Sequence, residues 1–289
     1  MRRQAVPYLL LLPVLLLVFS VYGYPLVQGV YLAFHKLYLL RSGEMKFVGW
    51  DNFARLLDDP VFRLSMTNSV YWVGGANAGK VAVGLGLALL LNTKIKPRGF
   101  LRGLAILPWV MPIVVTGIVW RWIYHPVWGV FDDALLRSGL IREPIDWLGS
   151  EKFRWFAIIL TDTWKNYGFL FVCFLSGLQS IPTEVYEAAR IDGAGAWQRF
   201  VYVTLPQLKP VTLIVVLLSV GWTFKDFNMI WLLTRGGPGH ASMVYGPFVY
   251  KQAFEFFRFG YASAAGVVGF VLIMILCLVY VRRIRLENL

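Results

Sequence analysis

The sequence predicts an all-α integral membrane protein with six transmembrane helices, on three observations. Of its 289 residues, 58% are hydrophobic and only 15% are charged, giving a mean hydropathy of +0.61; soluble domains are about a quarter charged. Six stretches reach the roughly 20 apolar residues that a spanning helix needs. The net charge of +12 lies in short basic runs beside those stretches. It forms no stripe suited to nucleic acid, and such flanks favour the cytoplasmic side of a membrane.

The spans are expected at 7–34, 66–92, 103–124, 154–180, 207–234 and 259–281. The first follows Met1-Arg2-Arg3 and imitates a signal peptide, but it outruns the roughly 7–15 apolar residues of a signal core and reads as an uncleaved anchor. The second is rich in Gly and Ala, which let helix backbones approach closely in lipid. Pro108 and Pro112 should kink the third.

Connections after the first, third and fifth spans are long (35–65, 125–153 and 235–258), while "NTKIKPRGFLR" after the second is short and basic. An even number of spans puts both termini on one side. Arg2, Arg3, Lys94 and the closing "RRIRLENL" place that side in the cytoplasm, although as many Lys and Arg fall outside as inside. The inside segments are shorter and crowd their charges at helix ends, where the bias acts. Residues 1–65 are read as an anchor with an external amphipathic segment, and 66–289 as the main transmembrane domain. In that external segment Trp50, Phe53, Leu56 and Leu57 recur at helical spacing before Asp58-Asp59-Pro60. Trp147 and Trp155 suit anchoring at the membrane surface.

Cys173 and Cys277 sit in apolar runs and read as small hydrophobes, not a disulfide. His35, His125 and His240 are scattered singly, so no metal site is expected. There is no GxxxxGK[ST] loop, zinc signature or GxSxG elbow; an enzyme is not expected, and no cofactor bound by this chain.

One segment breaks the apolar pattern. Residues 182–206, lying between the fourth and fifth spans, carry Glu187, Arg190, Asp192 and Arg199. Thr183 is a candidate N-cap, "EVYEAARI" reads as two helical turns, and Gly193 ends them. "AWQRFVYV" can form a second short helix before Pro206. Helices this short are marginal alone, so the segment needs a partner to pack against.

Glu187-Ala188-Ala189, Asp192-Gly193-Ala194, Phe200 and Leu205-Pro206 resemble the EAA loop of permease subunits of ATP-binding-cassette (ABC) importers. "FVGWDNFARLLDDPVF", "RGLAILPWVMP", "LLTRGGPGHAS" and "FRFGYASAAG" are similar to its sugar branch, the maltose- and glycerol-phosphate-type permeases. The resemblance implies a type I importer permease fold. Glu187, Ala188, Ala189, Asp192, Gly193 and Ala194 would form a coupling helix docked on an ATPase subunit. It also implies a second, homologous permease, two ATP-binding cassette subunits that hold ATP and Mg, and an external solute-binding protein that docks near Gly236, Gly237 and Pro238. The function implied is ATP-driven import of a sugar, a di- or oligosaccharide, across a prokaryotic cytoplasmic membrane.

Ionisable residues inside spans are costly and usually face a cavity or a partner. Lys80, Arg121, Asp162, Lys165, Lys225 and Asp226 are such residues. Arg121 lies near its span's outer end and can snorkel. Asp162 and Lys165 are three apart on one helical face and can pair, with Asn166 and Tyr167 continuing the patch. Lys225 and Asp226 point about 100° apart on a helix, near Trp222 and Asn228. Amide, carboxylate and ammonium groups among aromatics suit a sugar pathway, but they equally suit a polar network that locks helices together. A secondary transporter and a membrane scaffold are the rival readings; neither explains residues 182–206.

Overall fold

The computed structural model describes residues 2–38, 45–93 and 95–287. Lys94 lies outside the described residues, as do the side chains of Arg2, Arg3, Arg283 and Arg285. The chain is helical almost throughout and divides into two compact units, Met1–Arg63 with Phe248–Ile275, and Leu64–Pro247 with Leu276–Leu289. The first unit thus joins an N-terminal segment to a late one.

In the first unit, α1 (Arg2–Val18) runs through a π-turn at Phe19–Gly23 into α2 (Tyr24–Ala33). Leu10–Ala33 is long and apolar enough to cross a membrane. His35–Lys36 then pairs antiparallel with Lys46–Phe47, and α3 (Asp51–Asp58) follows. Asn52 Nδ2 donates to the carbonyls of Ala33 (2.8 Å) and His35 (2.9 Å), satisfying acceptors that the end of α2 leaves open. Leu56 is fully buried, whereas Leu57 and Trp50 are exposed. Asp59 caps α4 (Pro60–Leu91): its Oδ1 accepts from the Val61 and Phe62 N–H groups at 2.8 and 3.2 Å. Pro60, at the first helical position, needs no such partner. Tyr261 of α14 (Phe259–Glu287) donates its hydroxyl to Asp59 Oδ2 at 2.8 Å.

The second unit holds the rest. α5 (Arg98–Val110) and α6 (Ile113–Ile123) meet at 91° across Met111-Pro112. Pro108 sits within α5 without ending it, so the bend belongs to Pro112, whose missing N–H removes a helical bond. α7 (Val130–Arg137) lies in the third connection, and α8 (Arg154–Gln179) turns by 67° into α9 (Thr183–Ile191). Then α10 (Ala196–Arg199), a π-turn at Phe200–Thr204 and α11 (Leu205–Lys225) form one unbroken span, Ala196–Lys225. Two short helices follow, α12 (Asn228–Leu233) and α13 (Tyr245–Tyr250), of which the residues from Phe248 on belong to the first unit. Among the described residues, four helices can cross a bilayer alone, and six spans result when each bent pair counts as one.

Three expectations are corrected. The fifth span begins before Pro206 and ends at Lys225: the π-turn passes through Thr204 into α11, and this local π adjustment accommodates Pro206 just beyond it. Thr183 is the first helical residue of α9; Pro182 holds the cap position. Trp147 is no surface anchor. It is 5% exposed in a core with Tyr124 and Ala157, its indole N–H held at 2.6 Å by buried Asp132, because that loop folds upon itself. Trp155 is partly buried against a cluster containing Trp72 and Met229.

Candidate functional site

The second unit encloses a cavity of about 370 Å³ among α4, α5, α6, α8, α11 and α12. One side is aromatic: Trp109 and Phe169 have ring centroids 6.0 Å apart, and Phe169 meets Trp222 edge-on at 4.9 Å. The other side is polar, with Lys80, Asp162, Asn166, Thr223, Lys225, Asp226 and Asn228 in its lining.

Lys80 Nζ lies 2.6 Å from Asp162 Oδ2 and donates to Thr223 Oγ1 at 2.9 Å. Asn166 Nδ2 holds the other carboxylate oxygen, Asp162 Oδ1, at 2.7 Å. Thr223 Oγ1 passes its own proton to the Ser219 carbonyl at 2.7 Å and accepts a long 3.4 Å bond from Asn77 Nδ2. Three helices are thereby clasped. The two buried charges are paired, Asp162 meeting the ammonium through Oδ2 and a hydrogen-bond donor through Oδ1, as a low-dielectric site demands.

The expected Asp162–Lys165 pairing does not form. Lys80, one helix away, reaches Asp162 end-on, and Lys165 turns to α5, donating to the Trp109 carbonyl at 2.7 Å. Lys165 therefore does not line the cavity. Tyr167 does not either: it is buried in an apolar cluster with Leu170, Phe171 and Phe174, since it points about 100° away from Asn166 around α8. Arg121 is exposed at the end of α6.

Lys225 and Asp226 do not share a helix. Asp226 is extended (ψ 121°) and ends α11, while its Oδ1 accepts from the Asn228 N–H at 2.8 Å. A carboxylate that bonds the backbone two residues on offers an alternative to the helix, and here it starts α12. Gly246 packs against this break: a Cβ there would lie 3.0 Å from the Asp226 carbonyl oxygen. Trp222, Lys225, Asp226 and Asn228 all face the cavity.

Two further segments carry predicted site residues. α9 has no buried residue. Gly193, at φ +81°, ends it; the Ala194 N–H bonds the Ala189 carbonyl at 2.9 Å, and the Gly193 N–H bonds that of Arg190 at 3.0 Å. This pair of bonds is the Schellman motif. Gly195 N–H donates to Gln198 Oε1 at 2.7 Å, and Arg199 Nη1 to the Ala194 carbonyl at 2.6 Å, so the bend is fixed from both sides. Ile191, Trp197 and Tyr202 stand 87%, 73% and 76% exposed along it. In the turn after α12, Gly236 is buried at φ +82°, Gly237 is half-buried and Pro238 exposed. Ser242 braces the turn through Thr234 Oγ1 (2.7 Å) and the Gly237 carbonyl (2.6 Å). Asn68 of α4 holds the carbonyls of Ala241 and Met243 at 3.3 and 2.9 Å.

Sequence reasoning gave Lys80 no partner and missed Trp109 and Phe169. Lys80 lies on a different span from its partner, a relation that residue spacing cannot carry. The two aromatics look like ordinary span residues until the bend after α5 turns Trp109 inward.

The comparisons with known proteins agree with this architecture. The family model described as "Binding-protein-dependent transport system inner membrane component" matches residues 80–285. The sulfoquinovosyl glycerol transport system permease protein SmoG of Agrobacterium fabrum is 35% identical over 97% of this chain and 90% of its own. The trehalose/maltose transport system permease protein MalF of Thermococcus litoralis is 33% identical over 97% and 94%. A chain of a bacterial ABC transporter involved in the import of the acidic polysaccharide alginate superimposes with a TM-score of 0.85, at 24% identity over 98% of this chain and 96% of that one; at that identity it shows the fold. This chain belongs to the family of binding-protein-dependent transport system inner membrane components, as a permease of an ABC importer.

Proposed function

We propose that this permease carries a sugar, a di- or oligosaccharide, through the cavity bounded by Trp109, Phe169 and Trp222 on one side and Asn166, Asp226 and Asn228 on the other. The observation that carries this reading is that two-sided lining. A sugar ring presents apolar C–H faces that stack on aromatics and a rim of hydroxyls that both donate and accept hydrogen bonds. Relatives named for sugar transport, at 35% and 33% identity over nearly the whole chain, support the same substrate class. The clasp of Lys80, Asp162 and Thr223 fits the other role left open by the sequence, locking helices beside the path.

In this reading the chain performs no covalent chemistry. It pairs with a second, homologous permease, and two ATPase subunits hold ATP and Mg. Glu187, Ala188, Ala189, Asp192, Gly193 and Ala194 present the exposed α9 bend to one of them, with Glu187 and Asp192 free to accept charge-assisted hydrogen bonds. A solute-binding protein docks on the outer side around Gly236, Gly237 and Pro238, where Ser242 and Asn68 keep the turn rigid. The chain lies in a prokaryotic cytoplasmic membrane with both termini inside.

The test is to purify the complex with its binding protein, identify the sugar carried, and measure its ATP-dependent uptake in vesicles. Asp226→Ala and Asn228→Ala should lower uptake of that sugar while protein yield holds. Uptake without ATP, or a binding protein that holds no sugar, sinks the proposal.

A further inference from the structure

Lys165 is 5% exposed and spends its ammonium on a backbone oxygen rather than on a carboxylate or the cavity. That oxygen, the Trp109 carbonyl, belongs to the last turn of α5, whose carbonyls have no helical partner. Pro112, three residues on, has no N–H to give, and Ile113 lies beyond the 91° bend. The lysine therefore caps the broken end of α5 from a neighbouring helix. A charged donor gives the stronger kind of hydrogen bond.

One turn further along α8, Gly168 lies against the same residue. A Cβ built on it would sit 2.6 Å from Trp109 Cβ and 3.3 Å from its Cγ. The absence of a side chain lets the two backbones approach until Trp109 is seated on α8. Phe169, next in sequence, receives the Trp109 ring at 6.0 Å and joins it to Trp222. Lys165, Gly168 and Phe169 thus hold one residue by its carbonyl, its Cβ and its ring.

We infer that Lys165 is a positioning residue for the substrate wall: by fixing the Trp109 carbonyl at the α5 break, it sets the indole as one end of the aromatic face on which the sugar stacks. The inference rests on the sugar reading above for what the wall binds, but not for the positioning itself. Without the lysine, the α5 end frays and the indole loses its fixed angle. Arginine, which keeps a charged donor, retains it.

The protein labelled with 5-fluorotryptophan and purified in its complex tests this, with the Trp109 fluorine signal assigned from Trp109→Phe. Lys165→Met should broaden and shift the Trp109 signal while the signals of Trp72 and Trp147 stay fixed; Lys165→Arg should restore it. An unmoved Trp109 signal in Lys165→Met, or equal movement of all tryptophan signals, overturns the inference. Trehalose added to the native complex is the sugar probe. It should move the Trp109 signal at a concentration about ten-fold lower than in Lys165→Met, the scale of one charged hydrogen bond. If trehalose moves no signal in the native complex, the sugar reading loses support while the positioning result stands. Equal trehalose response in native and Lys165→Met, with the fluorine shift present, overturns the link to substrate.

Discussion

Lys80 Nζ and Asp162 Oδ2 lie 2.6 Å apart with side chains 3% and 1% exposed, joining α4 to α8 inside the membrane-spanning unit. Removing one partner strands the other, almost wholly buried charge without its counter-ion. Lys80→Met should therefore cost about 3–5 kcal/mol, far more than any exposed ion pair contributes. The double variant Lys80→Met/Asp162→Leu removes both charges and should recover most of the loss. Thermal unfolding of the native protein, both single variants and the double variant in detergent checks this. If the double variant falls as far as the sum of its parts, the pair is not what sets the cost.

The glycines of the helical core separate into close contacts and open positions. Gly168→Ala places a methyl 2.6 Å from Trp109 Cβ, which cannot move without shifting α5. A destabilisation of about 1–3 kcal/mol follows from such overpacking. Gly221 of α11 meets nothing within 4 Å, so Gly221→Ala should be neutral or stabilising by about 0.5–1 kcal/mol, the helical preference for alanine. Melting temperatures that move in opposite directions would bear out the contrast; equal shifts would not.

Gly193 and Gly195 separate two roles in the cytoplasmic segment. Gly193 has φ +81° and closes the Schellman bonds of α9, whereas Gly195 has φ −67°. Gly193→Asp should strain the bend by about 1–2 kcal/mol and leave the spans folded. In the proposed role, with the bend presenting α9 to an ATPase subunit, uptake should fall while basal ATP hydrolysis of the complex continues. Glu187→Lys should act alike through charge, whereas Gly195→Ala should leave coupling intact. Full uptake by both Gly193→Asp and Glu187→Lys would remove α9 from the docking role.

What could be read from the sequence follows from which interactions are local. Composition and apolar length found the six spans, because a bilayer imposes both directly. The Gly193 bend was legible because a helix stop is written in its own residues. Spacing found Asp226, but not that its carboxylate breaks the helix, which depends on one side chain-to-backbone bond to Asn228. The pairing of Asp162 was misread for a simpler reason. A neighbour three residues away is visible in the sequence, while Lys80 comes within reach only after α4 and α8 pack. Trp147 was misplaced by the same limit, since its partner Asp132 lies across a folded loop.

That loop supplies the last prediction. Asp132 is 3% exposed and accepts from the Trp147 indole N–H at 2.6 Å and the Ile145 N–H at 3.0 Å. Tyr124 packs beside them and donates to the Ala157 carbonyl at 3.0 Å, at the start of α8. Asp132→Ala leaves two donors buried without an acceptor, each costing about 1–3 kcal/mol. The damage should stay local, because α8 is held independently by its own core of Leu170, Phe171 and Phe174. Hydrogen exchange should therefore rise across 130–147 and remain slow over 165–178. Trp147→Phe, which removes a single donor and leaves Ile145 bonded, should loosen the loop less. Exchange that rises equally in both regions would show that the loop and the spans unfold together.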